Sequence, residues 1–200
     1  VGFDAAGQAR LTRAAQFAVA WHAGQARKGS DIPYASHLLQ VAGLVLEHGG
    51  DVDQAAAGFL HDSLEDARSP EERSAREGIL RDEFGEDVLR MVLACTDTAE
   101  DEFLGNKTPW KERKSRYLEH LAHADARSAL VSACDKRHNL GSLVADVRAH
   151  GPGYLDHFSA GAPDQLWYFE GFVAALRERL PPRLVQELDE ELADFRALLG

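Results

Sequence analysis

Apolar residues recur in this chain at steps of three and four nearly from end to end, and no other feature limits its fold so strongly. Leu11, Ala14, Ala18 and Trp21 mark one face of a first helix. Gly29 and Pro33 break the pattern over 28–33. A second helix is predicted over 36–48, with Leu39 and Leu46 on its apolar face and Gly49-Gly50 as its stop. Asp53 is a candidate cap for an alanine-rich third helix reaching about residue 66. Ser69-Pro70-Glu71-Glu72 has the form of a capping box and opens a helix to about 84, followed by another over 86–94. The polar stretch 96–107 reads as a loop, and Thr108-Pro109 opens the next helix. A long helix over 126–149 ends at Gly151-Pro152-Gly153, and two closing helices occupy about 163–180 and 182–199. No segment alternates as a strand does, and no repeat or linker interrupts the chain.

The expectation is one all-α domain over 1–200, with a core at about 14–150 and C-terminal helices at about 163–199. Two hundred residues suffice for one sizeable core. Hydrophobic residues at 44% and charged ones at 28% exclude collagen-like and largely disordered classes. The net charge of −11 disfavours a general nucleic-acid binder, whereas local basic patches still suit small anionic substrates. No apolar run approaches the ~18 residues of a membrane span, and Val1 to Gln8 lacks the pattern of a signal peptide. Cys95 and Cys134 form no C-x-x-C pair, which suits a reducing cytoplasm, with a single disulfide as the alternative.

Nine histidines are present. His120, His123, His150 and His157 lie in polar surroundings, and His48 stands at a helix end where it complements the dipole. His61-Asp62 is different: it follows an apolar run and precedes Glu65-Asp66. On a helix, His61 and Glu65 are one turn apart, as are Asp62 and Asp66. A solvated acidic helix end and a cation site both account for that crowding. His37 alone reads equally as a structural histidine. Asp135 lies inside an otherwise apolar helix, where an acid is costly unless paired or metal-bound. Pairing with Lys136 or Arg137 is the simpler explanation, weakened because sequence neighbours point to different sides of a helix. Together His37, His61, Asp62 and Asp135 supply two imidazoles and two carboxylates, a set suited to a divalent ion such as Mn²⁺ and less to zinc.

The pattern H…HD…D resembles the HD-domain metal-dependent phosphohydrolases. Longer blocks resemble the hydrolase domain of RelA/SpoT-type enzymes in order and spacing. They are Arg27-Lys28-Gly-Ser-Asp-Ile-Pro33-Tyr34-Ala-Ser-His37, His61-Asp62-Ser-Leu-Glu65-Asp66, Phe84-Gly85, Lys111-Glu112-Arg113-Lys114 and Asp135-Lys136-Arg-His-Asn139. The fit is best to the stand-alone small alarmone hydrolases and covers about 14–140. The resemblance implies a helical HD-domain bundle in which His37, His61, Asp62 and Asp135 hold one Mn²⁺. It implies that Glu65 and Asp66 orient and activate water. Arg27, Lys28, Tyr34, Lys136 and Asn139 are the implied substrate residues. The implied reaction removes the 3′-pyrophosphate of guanosine tetra- or pentaphosphate, giving GDP or GTP plus pyrophosphate. A chain ending at Gly200 is expected to hydrolyse only, with no synthetase domain. The expected partner is a small nucleotide, with neither nucleic acid nor membrane.

Leu38, Ser132, Arg137 and a longer 96–107 loop depart from the family pattern. They are expected near the substrate, where they would bear on nucleotide identity. Lys111, Arg113 and Lys114 offer positive charge for a polyphosphate, although from spacing the run 111–114 reads rather as a solvated helix face, and Trp110 as core or as a base-stacking residue. The same metal chemistry on adenosine analogues or on NADPH, and a sensing module that binds without turnover, are the competing readings.

Overall fold

A computed structural model describes residues 2–97 and 108–200. Among them are eight α-helices and two short 3₁₀ segments, and no strand, only an isolated bridge between Ala26 and Pro33. The helices are α1 (Ala5–Trp21), α2 (Ala35–Glu47), α3 (Val52–Leu60) and α4 (Pro70–Cys95). They continue with α5 (Trp110–Leu121), α6 (Ala126–His150), α7 (Ala162–Leu176) and α8 (Pro182–Leu199). The all-α expectation holds. The predicted loop at 96–107 lies, from residue 98 on, outside the described residues.

Helix starts follow side-chain chemistry. Asp4 accepts from the Gly7 amide at 2.7 Å, Ser69 from Glu72 at 3.2 Å, and Asp125 from Ser128 at 3.2 Å. The Ser69 box is only half closed, because the Glu72 carboxylate turns back to the Arg68 amide at 2.8 Å. The cap of α3 is Asp51, not Asp53. Asp51 accepts from Gln54 N at 2.9 Å while Gln54 Oε1 accepts from Asp51 N at 3.1 Å, and Asp53 is spent on Arg10 at 2.5 Å. Helix α4 is broken at Gly85, whose φ of 79° only glycine adopts readily. That break is the expected boundary between the 69–84 and 86–94 helices.

Helices α3 and α6 lie at the centre. Helix α3 packs on α1, α2, α4 and α6, and α6 also packs on α2, α4, α7 and α8. Small residues bring α3 close to α2: a Cβ on Gly58 would meet Ala42 Cα at 3.2 Å. Leu38, Val41, Ala42 and Val45 form the buried face of α2, whereas Leu39, expected on that face, is 55% exposed. Phe169 and Phe172 of α7 and Phe195 of α8 are buried, so the C-terminal helices belong to the core.

Candidate metal centre and adjoining cavity

Three elements deliver the cluster. His37 lies in the first turn of α2, His61 and Asp62 directly follow α3, and Asp135 occupies the middle of α6. Helix α3 stops at Leu60 rather than reaching residue 66. The chain then turns, with Ser63 N donating to Leu60 O at 3.0 Å and Asp66 N to Asp62 O at 3.0 Å. The turn keeps Asp62 and Asp66 one winding apart, so the predicted grouping survives although the predicted helix does not.

His37, His61 and Asp135 are buried, and one donor atom from each lies within 4.8 Å of the other two. Asp62 touches both rings, its Oδ2 being 2.9 Å from His61 Nε2 and 3.4 Å from His37 Nε2. Asp135 Oδ1 is 3.3 Å from His37 Nε2 and 3.5 Å from His61 Nε2. The structure therefore brings together all four residues expected as ligands.

The donor set fits a divalent cation. A carbonyl can only accept, so His61 Nδ1, 2.7 Å from Gly58 O, keeps its proton, and Nε2 is the atom that offers a lone pair once a cation takes the place of its proton. The two Nε2 atoms are 3.1 Å apart, a separation that fits nitrogens sharing one ion at about 2.1 Å each. His37 is oriented in turn by His138, whose Nδ1 lies 2.8 Å from His37 Nδ1. Burial alone would keep His61 neutral, but Asp62 and Asp135 outweigh it and hold the pKa well above the ordinary histidine range. Both carboxyls stay well below the usual range despite burial, Asp62 mainly through His61 and Asp135 through Lys136 and then His61. The acids thus demand positive charge at this point.

Beside the cluster opens a cavity of about 780 Å³, lined among others by Gln25, Arg27, Lys28, Tyr34, Asp66, Lys114, Lys136 and Asn139. Its polar wall is wired to the cluster. Tyr34 donates to Asp62 Oδ2 at 2.6 Å, and burial, then Asp62, pushes the phenol pKa up so that it remains a donor. Asn139 donates to Asp135 Oδ1 at 2.5 Å and accepts from Arg27 at 3.0 Å. Lys28 sits exposed at the rim, 5.5 Å from the Phe158 ring. Lys136 pairs with Asp135, the contact that sequence adjacency had argued against. Every expected substrate residue therefore lines the cavity.

Glu65 and Asp66 differ. Asp66 faces the cavity and accepts from Gln25 Nε2 at 2.7 Å. Glu65 is half-buried, and burial, then the charge of Asp97, pushes its pKa up to about 7. Asp97 is held by Arg113 at 2.7 Å and by Lys114. The 111–114 run is therefore not a solvated face: Lys111 is exposed, but Arg113 and Lys114 turn inward. Trp110 lines the cavity while its ring packs edge-on to Tyr168. The departures from the family pattern lie elsewhere. Leu38 is buried in the core, Ser132 meets Cys95 Sγ at 3.3 Å, and Arg137 pairs with Glu187 of α8 at 3.2 Å. None of these three lines the cavity.

Sequence reading missed His22, Gln25, Asp97 and His138. His138 had a usable signal, standing three residues after Asp135 and so on nearly the same face of α6. The others depend on tertiary pairing that no local pattern announces.

A helical bundle with two imidazoles and two carboxylates converging from three segments defines a class. Residues 14–152 match the family model described as HD domain, and the chain belongs to that family. Among curated proteins it is 34% identical over 135 residues to a probable guanosine-3′,5′-bis(diphosphate) 3′-pyrophosphohydrolase of Synechocystis sp., covering 68% of this chain and 17% of the relative. It is 31% identical over 134 residues to a GTP pyrophosphokinase of Streptomyces coelicolor, covering 67% of this chain and 15% of the relative. The chain thus spans about a sixth of the length of the curated relatives it matches. Among solved structures, a metazoan SpoT ortholog described as hydrolysing ppGpp superposes with a TM-score of 0.72 at 24% identity. That match covers 96% of this chain and 97% of the other, and shows a shared fold.

Proposed function

We propose that this protein is a metal-dependent hydrolase that removes the 3′-pyrophosphate of guanosine tetra- and pentaphosphate. The observation that carries the reading is the cluster of His37, His61 and Asp135, with donors in mutual reach and Asp62 against both imidazoles, set directly beside a cavity with four cationic side chains. Support comes from the Synechocystis relative, described as a probable guanosine-3′,5′-bis(diphosphate) 3′-pyrophosphohydrolase, and from the metazoan one, described as hydrolysing ppGpp.

In the proposed reaction a water oxygen adds to the phosphorus attached to the 3′ oxygen. The 3′ oxygen–phosphorus bond breaks, the 3′ oxygen gains a proton, and pyrophosphate leaves. His37, His61, Asp62 and Asp135 would hold the cation, for which Mn²⁺ is our assignment. When bound, it supplies Lewis acidity, making water more acidic and offsetting negative charge on the phosphoryl group. Glu65, with a pKa raised towards neutrality, is suited to take the proton of the attacking water. Asp66, fixed by Gln25, orients that water. Arg27 and Lys28 would meet the phosphates, and Lys136 would balance charge on the departing pyrophosphate. Tyr34 and Asn139 keep Asp62 and Asp135 in place while presenting polar edges to the nucleotide.

We read residues 1–200 as one unit of this type, and the two buried, unpaired thiols support a cytoplasmic setting. No described helix is long and apolar enough to cross a membrane. A nucleotide panel tests the substrate. Guanosine tetraphosphate with Mn²⁺ should yield GDP and pyrophosphate. Faster turnover of adenosine analogues or NADPH, or binding of the intact nucleotide without product, would contradict the assignment.

A further inference from the structure

We propose that His22 is a positioning residue for the reaction, acting through Gln25 to fix the Asp66 carboxylate and bracing Tyr34 with its ring. The inference rests on the role given to Asp66 above.

His22 follows the last residue of α1, and its side chain is fully buried although its helix is otherwise far from the metal cluster's ligands in sequence. Its Nε2 has no hydrogen-bond partner, and the ring is held by three neighbours. It stacks on Tyr34, with ring centres 5.1 Å apart and planes inclined by 23°. Its Nδ1 lies 2.8 Å from Gln25 Oε1 and 3.5 Å from Asp66 Oδ2.

The direction of each bond follows from chemistry alone. An ionised carboxylate only accepts, so the Gln25 group facing Asp66 at 2.7 Å is its NH₂. The amide oxygen therefore faces His22. An amide oxygen only accepts, so the proton is on His22 Nδ1. Three groups form one directed chain, from Nδ1–H through the amide to the carboxylate. The amide cannot rotate without losing both bonds. The Gln25 backbone is fixed as well, since its carbonyl accepts from Tyr34 N at 2.8 Å.

Asp66 needs such a brace. Its side chain is one-third exposed at the cavity wall, on a turn rather than a helix. A carboxylate there samples several rotamers unless held, and orienting a water demands one of them. The same imidazole supports Tyr34, whose hydroxyl holds Asp62. One buried ring thus sets a carboxylate on the water side and a phenol on the metal side.

Two substitutions separate this role from packing. His22→Phe keeps a flat ring against Tyr34 but removes the donor. His22→Asn loses the ring but keeps an N–H at the position of Nδ1. With guanosine tetraphosphate and Mn²⁺, His22→Phe should lose at least about tenfold in kcat with KM little changed, and His22→Asn, which keeps the donor but gives up the stack on Tyr34, should lose clearly less than His22→Phe. Gln25→Met should cost less in the His22→Phe background than in the parent, because the two residues act through one chain. A His22→Phe protein as active as the parent, or His22→Asn the worse of the two, would overturn the proposal. Asp66→Asn is the control: loss of turnover there with full activity in His22→Phe rejects the brace alone, whereas full activity in Asp66→Asn rejects the role of Asp66. Imidazole ¹⁵N spectra of the unsubstituted protein decide the bond without any turnover. A proton on Nδ1 is expected, and a proton on Nε2 alone would refute the chain.

Discussion

Glu65 is where the chemistry leaves its mark on stability. Its ordinary pKa is 4.5, and in the fold it lies at about 7. Between those values the unfolded chain has lost the proton that the folded one keeps. The group's unfavourable contribution is therefore absent below pH 4.5, grows as pH rises to 7, and is complete above it. Glu65→Gln should stabilise the metal-free protein at pH 8 by on the order of 1–2 kcal/mol and leave it unchanged near pH 4. Urea unfolding at the two pH values measures this. The same variant should lose about 10²- to 10⁴-fold in hydrolysis, as expected for removal of a general base. A variant less stable at pH 8 would place Glu65 in a supporting ion pair instead. At this scale the sequence showed residue types but not partners. The convergence of His37, His61, Asp62 and Asp135 was legible because these residue types stand in a recognisable order along the chain. The raised pKa of Glu65 was not, because it comes from burial in the fold and then from Asp97, which reaches it from another part of the chain.

Helix boundaries were the most legible feature at the scale of elements, since caps are local chemistry. Ser69 and the Gly85 break stand where expected, whereas Asp51 takes the α3 cap from Asp53 because Arg10 claims the latter. The early end of α3 was not legible. Alanine-rich helix and turn read alike until His61 must face inward. Gly85 offers a test of element geometry. At φ 79° a side chain is strained, but a Cβ there would meet nothing within 4 Å, so the cost is purely of backbone. Gly85→Ala should cost about 1–2 kcal/mol and lower Tm by about 2–8 °C. Its kcat should be unchanged, because neither half of α4 supplies a residue to the cavity. Differential scanning calorimetry with a parallel turnover assay reads both.

The C-terminal helices join the centre of the molecule through α6, which packs on α2 and α3 as well as on α7 and α8. The chain's charge of −11 is inverted locally, where Arg27, Lys28, Lys114 and Lys136 line one cavity. The basic run at 111–114 could not be placed from spacing, because the tertiary position of Asp97 decides which of its members turn inward. A cation that ties α2, the end of α3 and α6 together must also stabilise the fold. At a hundred times its dissociation constant it adds about 2.7 kcal/mol, worth about 5–10 °C in Tm for a chain of this size. Mn²⁺ should produce that rise in the parent protein and none in Asp135→Asn, as read by thermal unfolding with and without the metal. A rise of equal size in the variant would move the site elsewhere.

Anomalous diffraction at the manganese edge, from crystals grown with Mn²⁺, tests the convergence most directly. One peak per chain is expected, within bonding distance of His37 Nε2, His61 Nε2 and a carboxylate oxygen of each of Asp62 and Asp135. A peak bound elsewhere, or none at these residues, would contradict the account.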